Sequence, residues 1–313
     1  MPEASIERAP AFAPTPETLS AEKRRTMRDE LVELWRFREL LRQMLMRDLK
    51  VRYKNSVFGF LWSIVPPLLQ VVVYMFLFRS ILGARAQNFP AYMLCGIIPW
   101  TFFQTAILDS SQSLLNNFTI LRKIYMPREI IPLTSVLSNF VHFLLGWMVY
   151  FAVFVFAFRL KGHGIPLRIE MLWFPFIVAM EFLLVLGFAL FFSALNVFFE
   201  DVKFILQTLF SLLFFLLPVL YPVDVVKYTS VMQQHPWLYK LYLLNPITAL
   251  ITAFRKTMLD LIRPEDFNPA LKGKLPDHMD WPLFAVSCLL CVGIAWFGYW
   301  YFNRRKWQFV ERP

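Results

Sequence analysis

Six long, nearly uncharged apolar runs constrain this chain more than any other feature. They fall at roughly Phe58–Phe78, Ala91–Leu115, Ile130–Phe158, Met171–Phe199, Phe204–Tyr221 and Pro282–Phe302. Each is close to or longer than the roughly 20 residues a helix needs to cross about 30 Å of hydrocarbon. Lipid offers the backbone no hydrogen-bond partner, so a crossing segment must satisfy its own amides and carbonyls as a helix. With 58% of the 313 residues hydrophobic and only 17% charged, one soluble core could not hide this surface. The expected fold class is therefore an all-α polytopic membrane protein: an N-terminal amphipathic interface helix, six transmembrane helices, and short re-entrant helices before the last span.

The breaks within the runs carry information. Ser63 and Gln70 interrupt the first, and Pro66-Pro67 should bend it or begin a new helical segment. The second run ends in Asp109, Ser110, Ser111, Gln112 and Ser113, which suits contact with protein or water rather than lipid. Asn139 and His142 lie in the third run and Glu181 in the fourth. Glu181 is costly in lipid; it has either a proton or substrate role or a structural one, in an ion pair or a hydrogen bond between helices. His142 reads as a packed, hydrogen-bonded residue.

Outside the runs, residues 1–30 contain Pro10, Pro14 and Pro16 and no apolar core of a secretory signal, so a disordered cytoplasmic tail is expected. Residues 31–56 follow as an amphipathic helix. Leu34, Phe37, Leu40, Leu41, Met44 and Leu45 share one side, and Arg36, Glu39, Gln43, Arg47 and Lys50 share the other. Such a helix should lie on the cytoplasmic membrane surface; an ordinary soluble helix is the alternative. Residues 57–302 form the six-helix domain, and 303–313 a basic cytoplasmic tail. Between the last two spans, Trp237–Ile262 is apolar but interrupted by Lys240, Asn245-Pro246, Arg255, Lys256 and Asp260, which suits short re-entrant or interfacial helices.

Charge gives the orientation. With the N-terminus inside, segments 1–56, 116–128, 200–203 and 303–313 hold 20 of the 32 Lys and Arg, while the longer outside loops hold the other 12. The positive-inside rule favours this arrangement, with both termini cytoplasmic. The net charge of +10 thus marks a membrane face, not a nucleic-acid surface. No Gly-x-x-x-x-Gly-Lys loop is present, because Asn268 stands where the first glycine before Gly273-Lys274 would be. The scattered His142, His163, His235 and His278 have no ligand spacing, and Cys95, Cys288 and Cys291 sit in apolar stretches as small hydrophobes. No metal site, no cofactor and no catalytic residue is expected in this chain.

Three motifs remain. The first is Arg47-Asp48-Leu49-Lys50-Val51-Arg52-Tyr53-Lys54-Asn55-Ser56-Val57-Phe58-Gly59-Phe60-Leu61-Trp62, before the first span. The second is Leu121-Arg122-Lys123-Ile124-Tyr125-Met126-Pro127-Arg128-Glu129, between spans two and three. The third is Leu244-Asn245-Pro246-Ile247-Thr248 with Phe254-Arg255. In this order they resemble the type-2 ABC exporter permeases for polysaccharides, the exporters of O-antigen, capsule and teichoic acid. Asn196-Val197-Phe198-Phe199-Glu200-Asp201-Val202 adds to the resemblance, with Glu200 where the family has Arg, and Pro66-Pro67 replaces the family's Asn-Pro.

The resemblance spans roughly residues 40–305 and implies residue roles. Leu121 to Arg128 would be a coupling helix pressed by a separate cytosolic ABC ATPase, present in two copies and carrying ATP-Mg. Arg47, Lys50, Arg52, Tyr53 and Lys54 would meet the headgroup of an undecaprenyl- or other lipid-linked glycan; equally, they are cations that enforce topology beside membrane lipids. Asn245, Pro246 and Arg255 would build an external re-entrant gate. Trp62, Tyr74, Trp100 and Phe103 are candidates for lining a channel formed by a homodimer in the cell inner membrane. The alternative within the same architecture is an exporter of a lipid or drug-like small molecule.

Overall fold

The computed structural model describes residues 27–54, 65–81, 89–123, 125–160, 168–259, 264–267, 271–276 and 278–309. The tail 1–26, Trp62, Ile124, the side chain of Tyr53 and residues 310–313 lie outside the described residues.

The described chain is helical from its start. Helix α1 (Met27–Arg36) and helix α2 (Arg38–Tyr53) are separated only by a turn at Phe37. The helix thus begins inside the segment expected to be a tail. Helix α3 (Val65–Met75) carries Pro66 and Pro67 in its first turn, where a missing N–H costs nothing, and continues as a π-turn over Phe76–Ile81. Helix α4 (Phe89–Asn116), the short α5 (Phe118–Lys123) and α6 (Ile130–Leu160) follow. A 3-10 turn at Ile169–Trp173 leads into α7 (Phe174–Phe198), and a tight turn leads to α8 (Val202–Leu216). Four short helices come next: α9 (Val223–Lys227), α10 (Ser230–Gln234), α11 (Pro236–Leu244) and α12 (Pro246–Met258). The last helix, α13 (Trp281–Arg305), ends in a 3-10 turn, Lys306–Phe309.

Four helical segments among the described residues are long and apolar enough to cross a membrane: Phe89–Asn116, Ile130–Ala152, Ile169–Phe198 and Trp281–Phe309. Leu68–Ile81 and Val202–Leu216 are apolar but shorter. Helix α4 is the hub and packs on α3, α6, α7, α8 and α12. Its residues 91–100 are all buried, as befits a helix apolar on every side. Helix α7 is clamped to α13 at two glycines. A Cβ at Gly298 would run into the Gly187 carbonyl, and one at Gly187 into the backbone of Ile294 and Ala295. Small residues let apolar helices approach to backbone contact, where dispersion replaces the missing hydrophobic drive.

One end of the bundle carries both described chain ends and the turn between α4 and α6. This is called the basal end; the opposite, apical end carries the short helices α9 to α12. The apolar face read from the sequence of α2 turns onto protein. Met44 is buried with Leu114, Met126, Ile130 and Phe302, and Leu34, Phe37, Leu40 and Leu41 pack around them. Val32, Trp35, Met46 and Val51 remain exposed on the same two helices. Arg36, Glu39, Gln43, Arg47 and Lys50 lie on the exposed side as expected.

Candidate functional site at the basal end

The turn between α4 and α6 has two faces. Met126 is 7% exposed and anchors in the basal core, where Ile120 and Leu121 pack beside it. Arg122, Lys123 and Tyr125 point outward, Tyr125 being 68% exposed. Arg122 covers the Phe118 ring at 4.5 Å, which holds a cation over a hydrophobic side chain. Pro127 ends the segment, and its carbonyl accepts from the amide of Ile130 at 3.1 Å to open α6. Arg128 stacks over the Trp307 ring at 5.4 Å. The result is an exposed cationic and aromatic surface fastened by apolar residues to the ends of two membrane-length helices.

Beneath it, three separate parts of the chain meet in one ionic cluster. Lys306 donates to Glu30 at 2.9 Å and to Glu129 at 2.8 Å. Tyr299 donates to the other Glu30 oxygen at 2.7 Å, and Asn303 donates to that same oxygen. The Tyr125 hydroxyl reaches Glu33 at 3.4 Å.

Beside this cluster lies a polar cavity of about 580 Å³ between α2, α4 and α6. Its wall holds Arg47, Arg52, Asp109, Gln112, Asn116 and Ser135, and lacks aromatic or long aliphatic side chains apart from Val51. Arg52 donates to Asp109 at 2.8 Å and to Asn139 at 3.3 Å, and Asn139 donates to Asp109 at 2.9 Å. Arg47 donates to Asp48 and, at 3.2 Å, to Asn117. The Ser138 hydroxyl is buried with no partner among the described residues. A wall of this kind can bind hydroxyls and phosphate oxygens by paired hydrogen bonds. Arg47, Lys50, Arg52 and Lys54, the cations noted before the first span, are all exposed, and Arg47 and Arg52 also line this cavity. The pairing of Arg52 with Asp109 and Asn139 joins residues far apart in sequence, and no local pattern announces it.

The other singled-out residues lie elsewhere. At the apical end, the Asn245 side chain accepts from the Ile247 amide at 3.2 Å, and Pro246 opens α12. Arg255 is buried. Its Nη1 donates to the carbonyls of Pro218 at 2.5 Å and Tyr221 at 3.0 Å, its Nη2 donates to that of Val219, and it lies over Tyr92 at 3.9 Å. These residues brace the break after α8. Trp100 and Phe103 are 2% and 6% exposed. They form protein core rather than a free wall: Trp100 packs on Phe210 and Phe214, and Phe103 on Phe188 and Phe210. Tyr74 packs on Phe214. Glu181 is fully buried, and neither carboxylate oxygen has a hydrogen-bond partner among the described residues.

Comparison with known proteins agrees with this arrangement. The family description "ABC-2 type transporter" matches residues 39–259. Among relatives, the chain is similar to an O-antigen export system permease protein RfbA of Klebsiella pneumoniae, 31% identical over 266 residues that cover 85% of this chain and 91% of that one. It is also similar to a protein of the same description in Myxococcus xanthus, 27% identical over 279 residues, covering 89% and 97%. A membrane-helix bundle with short apical helices, a basal turn braced for contact, and a family match over most of its length establish that this chain belongs to the ABC-2 type transporter family.

Proposed function

We propose that this chain is the permease subunit of an ATP-driven exporter that moves a lipid-linked polysaccharide across the inner membrane. Two copies form the channel, and two copies of a separate cytosolic ATPase drive it. The observation that carries this reading is the basal turn. Arg122, Lys123 and Tyr125 offer a partner a cationic and aromatic surface, while Leu121 and Met126 fasten that surface to α4 and α6. A push on such a turn passes directly to two long helices. The similarity to two O-antigen export permeases supports a glycan as cargo.

In this reading the basal end faces the cytoplasm. The polar cavity lined by Arg47, Arg52, Asp109 and Gln112 receives the phosphate and first hydroxyls of an undecaprenyl- or other lipid-linked glycan. Lys50 and Lys54 meet headgroups at its mouth. The chain itself performs no bond chemistry; ATP-Mg is bound and hydrolysed by the partner.

Deleting the gene should leave cells without the surface polymer and with its lipid-linked precursor held inside. A normally decorated surface in the deletion strain would refute the export role. Replacing Lys123 and Tyr125 together by Ala should abolish the rise in ATP hydrolysis on adding lipid-linked precursor extracted from the deletion strain, with the complex still assembled.

A further inference from the structure

Lys306 presents a problem that the proposed function does not use. Its side chain is 11% exposed, and its ammonium faces the carboxylates of Glu30 and Glu129, whose side chains are 15% and 6% exposed. One carboxylate is on α1, the other at the start of α6, and the lysine is just beyond the end of α13. Asn303 and Tyr299, one and two turns earlier on α13, both donate to Glu30. Burying three charges is costly, and apolar side chains of the same volume often serve stability as well or better. What an ionic cluster adds is directionality: it allows one arrangement of its partners and penalises sliding. Most of the remaining contact between the segments it joins is apolar packing around Met126, Ile130, Phe302 and Phe309, which tolerates sliding.

We propose that Lys306 is a positioning residue for energy coupling. Through Glu129 and Glu30 it locks the basal turn, the N-terminal helix and the last span into one lever, so force applied to the turn reaches α13 as well as α4 and α6. The stacking of Arg128 on Trp307 is a second tie between the same two parts. The inference rests on the coupling role proposed for the turn, and it assigns to the chain's last described segment a part in transmission.

The test uses the full chain with its ATPase subunit in lipid nanodiscs, and whole cells of the deletion strain complemented by each variant. Lys306→Met removes the ammonium and keeps the length. It should lower surface glycan export at least about ten-fold, with ATPase co-purification and KM for ATP unchanged, because small misplacement of a working part is costly. Lys306→Arg should stay within about two-fold of wild type, since a guanidinium can still bridge both carboxylates. The neutral triple variant Glu30→Gln, Glu129→Gln, Lys306→Met should regain thermal stability without regaining export; a purely stabilising cluster would regain both. Trypsin cleavage after Arg122 and Lys123 gives a readout independent of cargo, and should accelerate about ten-fold in Lys306→Met and not in Lys306→Arg if the turn loses its seat. Wild-type export or unchanged cleavage in Lys306→Met would overturn the proposal, as would full export by the triple variant. If the wild-type chain itself restored no glycan while cleavage still rose in Lys306→Met, the lever would stand and the assigned cargo would fall.

Discussion

At the scale of single residues, Arg255 and Arg52 show how differently two arginines of one chain are employed. Arg255 is buried and spends its donors on the carbonyls of Pro218, Val219 and Tyr221. Arg255→Met would leave those carbonyls without that donor at the buried break after α8. That should cost about 3 kcal/mol, seen as a lower unfolding temperature of the purified chain. Arg255→Lys should recover only part of this, because one ammonium nitrogen cannot occupy the two separate positions, Nη1 and Nη2, from which the guanidinium reaches the three carbonyls. Arg52 pairs with Asp109, but the two side chains are 42% and 44% exposed. Such a pair is worth at most about 1 kcal/mol, so its place in the cavity wall matters more than its contribution to stability. Arg255 was singled out in the sequence from its motif, and Arg47 and Arg52 from their place before the first span. Apart from Asp48, which neighbours Arg47, their partners are not legible in the sequence, since each lies in a distant part of the chain.

At the scale of elements, the long runs translate closely into helices. The run at Ala91–Leu115 becomes Phe89–Asn116, and Ile130–Phe158 becomes Ile130–Leu160. The fifth run does not. Apolar residues continue to Tyr221, yet α8 stops at Leu216. Pro218 disfavours helical geometry at Leu217, and Arg255 collects the carbonyls freed by the break. The crossing of α7 and α13 depends on Gly187 and Gly298. Gly298→Leu should force the two helices apart and lose the packing on both sides. The expected outcome is failure to recover monodisperse protein after extraction, whereas the same change at Gly293, where a Cβ meets nothing within 4 Å, should be tolerated.

For the whole molecule, the arrangement of ends is the central feature. The described chain ends, the basal turn and the polar cavity share one end, and the short helices α9 to α12 occupy the other. In intact cells, a cysteine placed at Lys123 should react with an impermeant thiol reagent only after the membrane is opened, and one at Lys240 should react from outside at once. Labelling at Lys123 in sealed cells would invert the bundle and remove the ATPase from reach of the turn. Apolar side chains also remain on outward faces: Val72 and Val73 on α3, Phe76 in the π-turn after it, Phe204, Ile205, Leu212 and Phe215 on α8, and Leu289 and Trp296 on α13. In a membrane these face acyl chains or another subunit without penalty.

The sequence by itself determined that this chain must be helical and enter lipid, roughly where four of its long helices run, which side of α2 is apolar, and which end of the bundle gathers cations. Those follow from local rules: run length, 3.6-residue periodicity, capping by Asn245-Pro246, and charge near span ends. Only the tertiary structure decided that Trp100 and Phe103 are buried within the chain, that Met44 of α2 packs on protein, and that Lys306 joins two distant glutamates. The physical reason is that lipid and protein interior are almost equally apolar, so hydrophobicity marks a residue as out of water without saying which of the two it meets. Buried ionic partners, likewise, are chosen by the approach of helices far apart in the chain, which no local pattern records.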